Sequence, residues 1–118
     1  MNAYLINPVN QTITSVEHSG NLSSLRTLLD CRIVDAARLN NSHGDVVYVD
    51  DEGLFCNEHF FMVDGYPTPL AGLGLVVGMD GEGGDAAPKS TLDEIKSKIK
   101  FLTRTQARGS GGFADYAV

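Results

Sequence analysis

The chain has no tryptophan and only two cysteines, Cys31 and Cys56. The first absence leaves any core to Phe, Tyr, Leu, Ile and Val, and the second excludes the disulfide framework of a small secreted domain. Lys and Arg are missing from the whole stretch between Arg38 and Lys89. No run of about eighteen apolar residues occurs, which excludes a long apolar membrane helix. The opening "MNAYLINPVNQ" lacks the basic stretch and cleavage site of a signal peptide. The expected setting is therefore cytoplasmic and reducing, with no membrane association.

What remains is the composition of one globular domain. At 118 residues, with 42% hydrophobic and 20% charged, the chain can bury one modest core and not two. Its net charge of −6 is unevenly placed. The stretch without Lys or Arg holds Asp45, Asp50, Asp51, Glu52, Glu58, Asp64, Asp80, Glu82 and Asp85, whereas Lys96, Lys98, Lys100, Arg104 and Arg108 gather near the C-terminus. Such asymmetry suggests an acidic face that repels nucleic acid and attracts basic proteins. Acids also collect in turns, where Asp and Gly are favoured for local geometry.

The hydrophobic periods change along the chain. "AYLINP" and "TITSV" read as a hairpin over residues 3–17, with Asn7-Pro8 opening its turn. Leu22, Leu25, Leu28 and Leu29 fit one face of a short helix capped by Asn21. "RIVDAARL" reads as a strand with Ile33, Ala37 and Leu39 inward, and "DVVYVD" as the clearest strand of all. "DDEG" reads as a tight turn, with "LFCN" as its return strand. "LGLVVG" is strand-like, and "TLDEIKSKIKFLT", capped by Ser90 or Thr91, presents Leu92, Ile95, Ile99 and Leu102 as the stripe of a second helix. The expected fold is α+β: a small, mostly antiparallel sheet of about five or six strands with two helices, in one domain over residues 1–105. Residues 106–118 read as a flexible tail whose "FADYAV" end resembles a bacterial degradation tag.

The chemistry is sparse. Cys56 and His59 make half a zinc knuckle, with Cys31, His18 and His43 as further donors, but paired knuckles are missing and no metal or other cofactor is expected. Gly72, Gly74 and Gly78 lie inside a strand-like run and open no helix, so they suit close packing better than a nucleotide loop. Asp80, Glu82 and Asp85 lack the spacing of an EF-hand. No nucleophile elbow is present, so no catalytic residues are assigned and an enzyme is not expected.

The order "YLINP", "LSSLRTLLD", "RIVDAARL", "DVVYVDDEGLFCNEHFF" and "LAGLGLVVGMD" resembles a family of small domains of unknown function carried mainly by bacteriophages, plasmids and other bacterial mobile elements. The resemblance covers about residues 3–80, with the hairpin turn at Asp51, Glu52 and Gly53, an Asn at Asn57, and closing glycines at Gly72 and Gly78. It departs at Phe60 and Phe61, where the family tends to have smaller residues. The resemblance carries over no catalytic residues. It implies an accessory protein of a phage or mobile element in the host cytoplasm. The leading expectation is that the chain binds and inhibits a host protein with a basic surface, one handling nucleic acid in defence. Asp50, Asp51, Glu52 and Glu58 would supply the charge, and Phe60 and Phe61 the apolar anchors. The second expectation is a small-ligand binder that sequesters a nucleotide-like signal, with Arg26, Arg32 and Arg38 as its cations and a homo-oligomer interface as the pocket.

Overall fold

A computed structural model describes residues 1–29, 34–38, 44–50, 59–64, 66, 69–82 and 84–103, apart from the side chains of Asp35 and Arg38. Among these described residues, nine strands and two helices follow in the order β1 (Asn2–Asn7), β2 (Thr12–Glu17), α1 (Leu22–Leu29), β3 (Val34–Arg38), β4 (Val46–Asp50), β5 (His59–Val63), β6 (Leu70–Ala71), β7 (Gly74–Met79), β8 (Asp85–Ala86), α2 (Leu92–Lys98) and β9 (Ile99–Thr103). The larger sheet runs β2-β1-β7-β4-β3 with β8 added on β7, and the smaller runs β6-β5-β9. Every pairing among the described residues is antiparallel. The α+β expectation holds, in two sheets rather than one.

The period of two along each strand sorts the larger sheet into two apolar faces. Ile6, Val47, Val49 and Val76 pack toward Phe61, Val63, Leu70 and Ile95 of the smaller sheet and α2. Ala3, Val46, Leu75 and Val77 pack beneath Leu25 and Leu29 of α1. The larger sheet is thus the middle of three layers, with α1 on one side and the smaller sheet with α2 on the other.

Local signals act as their chemistry requires. Asn7 Oδ1 accepts the backbone N–H groups of Val9 and Asn10 at 3.1 and 3.2 Å, closing the first hairpin. Asn21 Oδ1 caps α1 by accepting Ser24 N–H at 2.9 Å. Thr91 and Glu94 form a reciprocal capping box on α2. Two expectations change. Leu22 is 50% exposed rather than on the buried stripe of α1. The second helix stops at Lys98, and Ile99–Thr103 pairs instead with β5 in the register His59↔Thr103 to Val63↔Ile99. Helical spacing of Ile95, Ile99 and Leu102 had disguised an "IKFLT" alternation rich in strand formers. "LFCN" lies outside the described residues; the strand that follows, β5, joins the smaller sheet.

The link from β8 to α2 crosses the inner face of the larger sheet. Asp45, 0% exposed, accepts Lys89 N–H at Oδ1 (3.1 Å) and Ser90 N–H at Oδ2 (2.9 Å). Tyr4 Oη donates to Ser90 O at 3.0 Å. A Cβ at Gly78 would collide with the Ala87 carbonyl, and one at Gly74 would lie 2.7 Å from Phe61 Cζ. These glycines serve close approach, as their place inside a strand implied. Asp45→Ala leaves the buried Ser90 N–H and the half-buried Lys89 N–H without their acceptor, and a loss of roughly 1–3 kcal/mol is expected, read as a lower urea midpoint with unchanged slope.

Candidate functional site

Phe60 and Phe61 are both 0% exposed. Phe61 packs between the sheets, and Phe60 packs with Ala71 and Leu102. As surface anchors they are therefore corrected: adjacent residues on a strand face opposite ways, and here both faces are covered. Asp50 ends β4, half-buried, while Asp51, Glu52 and Glu58 lie outside the described residues. Asp45 is internal, and Asp64, Asp80 and Glu82 are exposed. Because Gly74 pairs with Val49 and Val77 with Val46, Asp50 and Asp80 sit at opposite ends of the larger sheet, roughly 20 Å apart at the usual rise per strand residue.

Arg26 is exposed on α1, Arg38 ends β3, and Arg32 lies outside the described residues. Of the half-knuckle donors, His59 is exposed on β5 and His18 is buried, while Cys31, His43 and Cys56 lie outside the description. Among the described residues no three His, Cys, Asp or Glu side chains gather as a metal site. No described helix is long and apolar enough to cross a membrane.

Two constellations do form. The first is a cavity of about 590 Å³ lined by Met62, Val63, Asp64, Tyr66, Ser97, Lys98, Ile99, Lys100 and Leu102. The strand that begins at Ile99 forms one wall: alternation places Lys100 and Leu102 on one side of it and Ile99 and Phe101 on the other, with Lys98, the last residue of α2, beside them. Asp64 N–H donates to Lys98 O at 2.8 Å, and Tyr66 N–H to Val63 O at 2.9 Å, fixing both walls. Neither ammonium meets a carboxylate at ion-pair distance among the described residues.

The second lies beneath α1, on the other face of the larger sheet. His18, 0% exposed, sits just after β2. Its Nδ1 is 2.9 Å from Ser24 Oγ and its Nε2 is 2.9 Å from Asp85 Oδ2. Tyr48 Oη donates to Asp85 Oδ1 at 2.8 Å. Burial, then the hydrogen bond and charge of Asp85, push the Tyr48 phenol up to about 12. Nearby, Asp80 accepts Glu82 N–H at 2.7 Å and Gly84 N–H at 3.0 Å, which holds its carboxyl below the usual range. The acidic loop thus closes on its own backbone.

Comparison with known families matches residues 1–100 to the domain of unknown function DUF3846. The chain belongs to that family. No curated protein and no solved structure matches it. The DUF3846 match takes in every residue of both constellations except Leu102. Sequence reasoning missed both for physical reasons. Lys98 and Lys100 fell on different sides of an expected helix, and the signal for the break between them was the "IKFLT" alternation. His18, Ser24, Tyr48 and Asp85 of this DUF3846 domain are brought together only by the sheet order.

The Tyr48–Asp85 contact has a pH signature. A phenol raised from 10.0 to about 12 favours the folded state fully below pH 10 and loses that contribution as pH climbs toward 12. An ultraviolet titration is expected to show one phenol ionising late. Tyr48→Phe should remove that step and flatten the loss of stability through this window.

Proposed function

We propose that this DUF3846 protein binds a small anionic ligand of nucleotide-like chemistry in the cavity beside the α2–β9 junction. The observation that carries the reading is the pair Lys98 and Lys100 lining one cavity with Tyr66 and the apolar Met62 and Leu102. Its volume of about 590 Å³ falls within the ~300–1,000 Å³ typical of small-ligand sites. Ammonium groups serve as point charges for phosphate, an aromatic ring supports a base by stacking, and Asp64 supplies an acceptor for a hydroxyl or amino group. With a net charge of −6, distant attraction of an anion is weak, so the two lysines must act at short range. In this reading the chain is an accessory protein of a phage or mobile element that sequesters a signal in the host cytoplasm, and a homo-oligomer could enclose the site further.

The partner-binding reading comes second. Exposed Asp64, Asp80 and Glu82, together with the acids at 50–58, support an accessory protein that binds and inhibits a basic host protein. Without Phe60 and Phe61 as anchors, such an interface would rest on charge, giving fast and salt-sensitive association. Replacing Asp50, Asp51, Glu52 and Glu58 together by Ala should abolish capture of that partner; unchanged capture would sink this reading.

For the ligand reading, native mass spectrometry of protein purified from cells is expected to show a bound mass that disappears in the Lys98→Gln, Lys100→Gln double variant. Titration with nucleoside monophosphates and dinucleotides should stabilise the wild type by about 2.7 kcal/mol at a ligand concentration about a hundredfold above Kd, and leave the variant unmoved. No bound mass and no stabilisation by any of these nucleotides would overturn it.

A further inference from the structure

We propose that Ser24 is an activated nucleophile, able to attack small polar esters from the concavity at the start of α1. That concavity, about 380 Å³, is lined by Glu17, Ser19, Asn21, Ser23, Ser24, Thr27 and Leu28. It lies on the α1 face of the larger sheet, away from the lysine cavity, so this inference stands or falls independently of ligand binding there.

The hydrogen-bond pattern assigns the roles. Both Asp85 oxygens act as acceptors, one from Tyr48 Oη at 2.8 Å and the other from His18 Nε2 at 2.9 Å. With the ring neutral, a proton on Nε2 leaves Nδ1 as a lone pair, and Ser24 Oγ lies 2.9 Å from it. Ser19 N–H donates to Ser24 Oγ at 3.3 Å, so the hydroxyl proton is directed to Nδ1. Nucleophile, base and orienting acid therefore form a chain at the distances such chemistry needs. The base is Nδ1 and the orienting carboxyl lies on Nε2. His18 is sealed from solvent behind Ser24, while Ser24 itself faces the concavity. Tyr48 closes the far end by occupying the second oxygen of Asp85, so the carboxyl cannot rotate away from the ring.

The reaction balances without a further reagent. Ser24 Oγ forms a bond to the ester carbonyl carbon as its proton passes to His18 Nδ1. The bond to the leaving alkoxide breaks, and that alkoxide takes the proton from Nδ1 and departs as the alcohol. Water then attacks the acyl-Ser24 carbonyl and gives its proton to Nδ1. Ser24 Oγ recovers that proton as the acid is released. The hydroxyl and carboxamide lining suits a polar acyl group, and the Glu17 carboxylate is paired with the N-terminal ammonium.

The test uses the full chain with a fluorophosphonate, a serine-directed probe, read by intact mass and peptide mapping. One adduct is expected, at Ser24, in folded protein and none after denaturation in urea. Ser24→Ala should abolish it. His18→Gln, shown to be folded by circular dichroism, should slow labelling by about 100-fold or more. p-Nitrophenyl acetate hydrolysis should fall in parallel. A folded wild type that leaves Ser24 unlabelled, or labels Ser23 equally, would overturn the proposal, as would labelling that ignores the loss of His18.

Discussion

The buried carboxyl group of Asp45 is the contact on which the arrangement of layers depends. It stands at the start of β4 on the inner face of the larger sheet and holds the backbone of Lys89 and Ser90, just before the capping box of α2. A buried carboxyl group carries a desolvation cost of several kcal/mol unless its hydrogen bonds replace those of water. The two N–H donors of the crossing segment do so here. The close passage also explains Gly78: with any side chain there, the Ala87 carbonyl could not lie against β7. Where the chain is pinned at 89–90, α2 and β9 must follow, and with them Lys98 and Lys100.

Much of this was legible from residue types alone. The first hairpin, the Asn21 cap, the "DVVYVD" strand and the packing role of the glycines follow from local rules that hold whatever the tertiary context. The failures have one cause in common, which is that partners decide between alternatives the chain leaves open. Ile95, Ile99 and Leu102 satisfy a helical stripe, yet β5 offers Ile99–Thr103 a full ladder, and the ladder prevails over a helix whose continuation would have left that edge unpaired. Phe60 and Phe61 could not be assigned to core or surface because consecutive aromatics require apolar cover on both faces of a strand. That cover comes from residues distant in sequence: Ile95 among them for Phe61, Ala71 and Leu102 for Phe60.

The candidate sites were less legible than the fold, for a related reason. Charge composition pointed to the acids between Arg38 and Lys89, but an antiparallel sheet sends successive turns to opposite ends. A run that is continuous in sequence is therefore divided in space, with Asp50 at one end and Asp80 and Glu82 at the other. Asp45 and Asp85, indistinguishable from their neighbours as letters, are drawn inward to bind backbone and imidazole. The cationic cavity arises from the opposite effect. Lys98 and Lys100 are two residues apart in sequence, and the change from helix to strand between them brings both to one cavity.

Both constellations depend on the register of β4. Asp45 and Tyr48 are three residues apart, an odd spacing, so the pleat points one toward the α2 layer and the other toward α1. A slip of one residue against β7 would exchange those faces. Asp45 would be carried beneath the α1 layer without its N–H donors, and Tyr48 would be withdrawn from Asp85. The pairs Val46↔Val77 through Val49↔Gly74 resist that slip because Val47 and Val49 fill the space between the sheets while Val46 fills the space under α1. A strand apolar on both faces thus fixes the positions of two polar groups, and each polar group orders one side of the molecule.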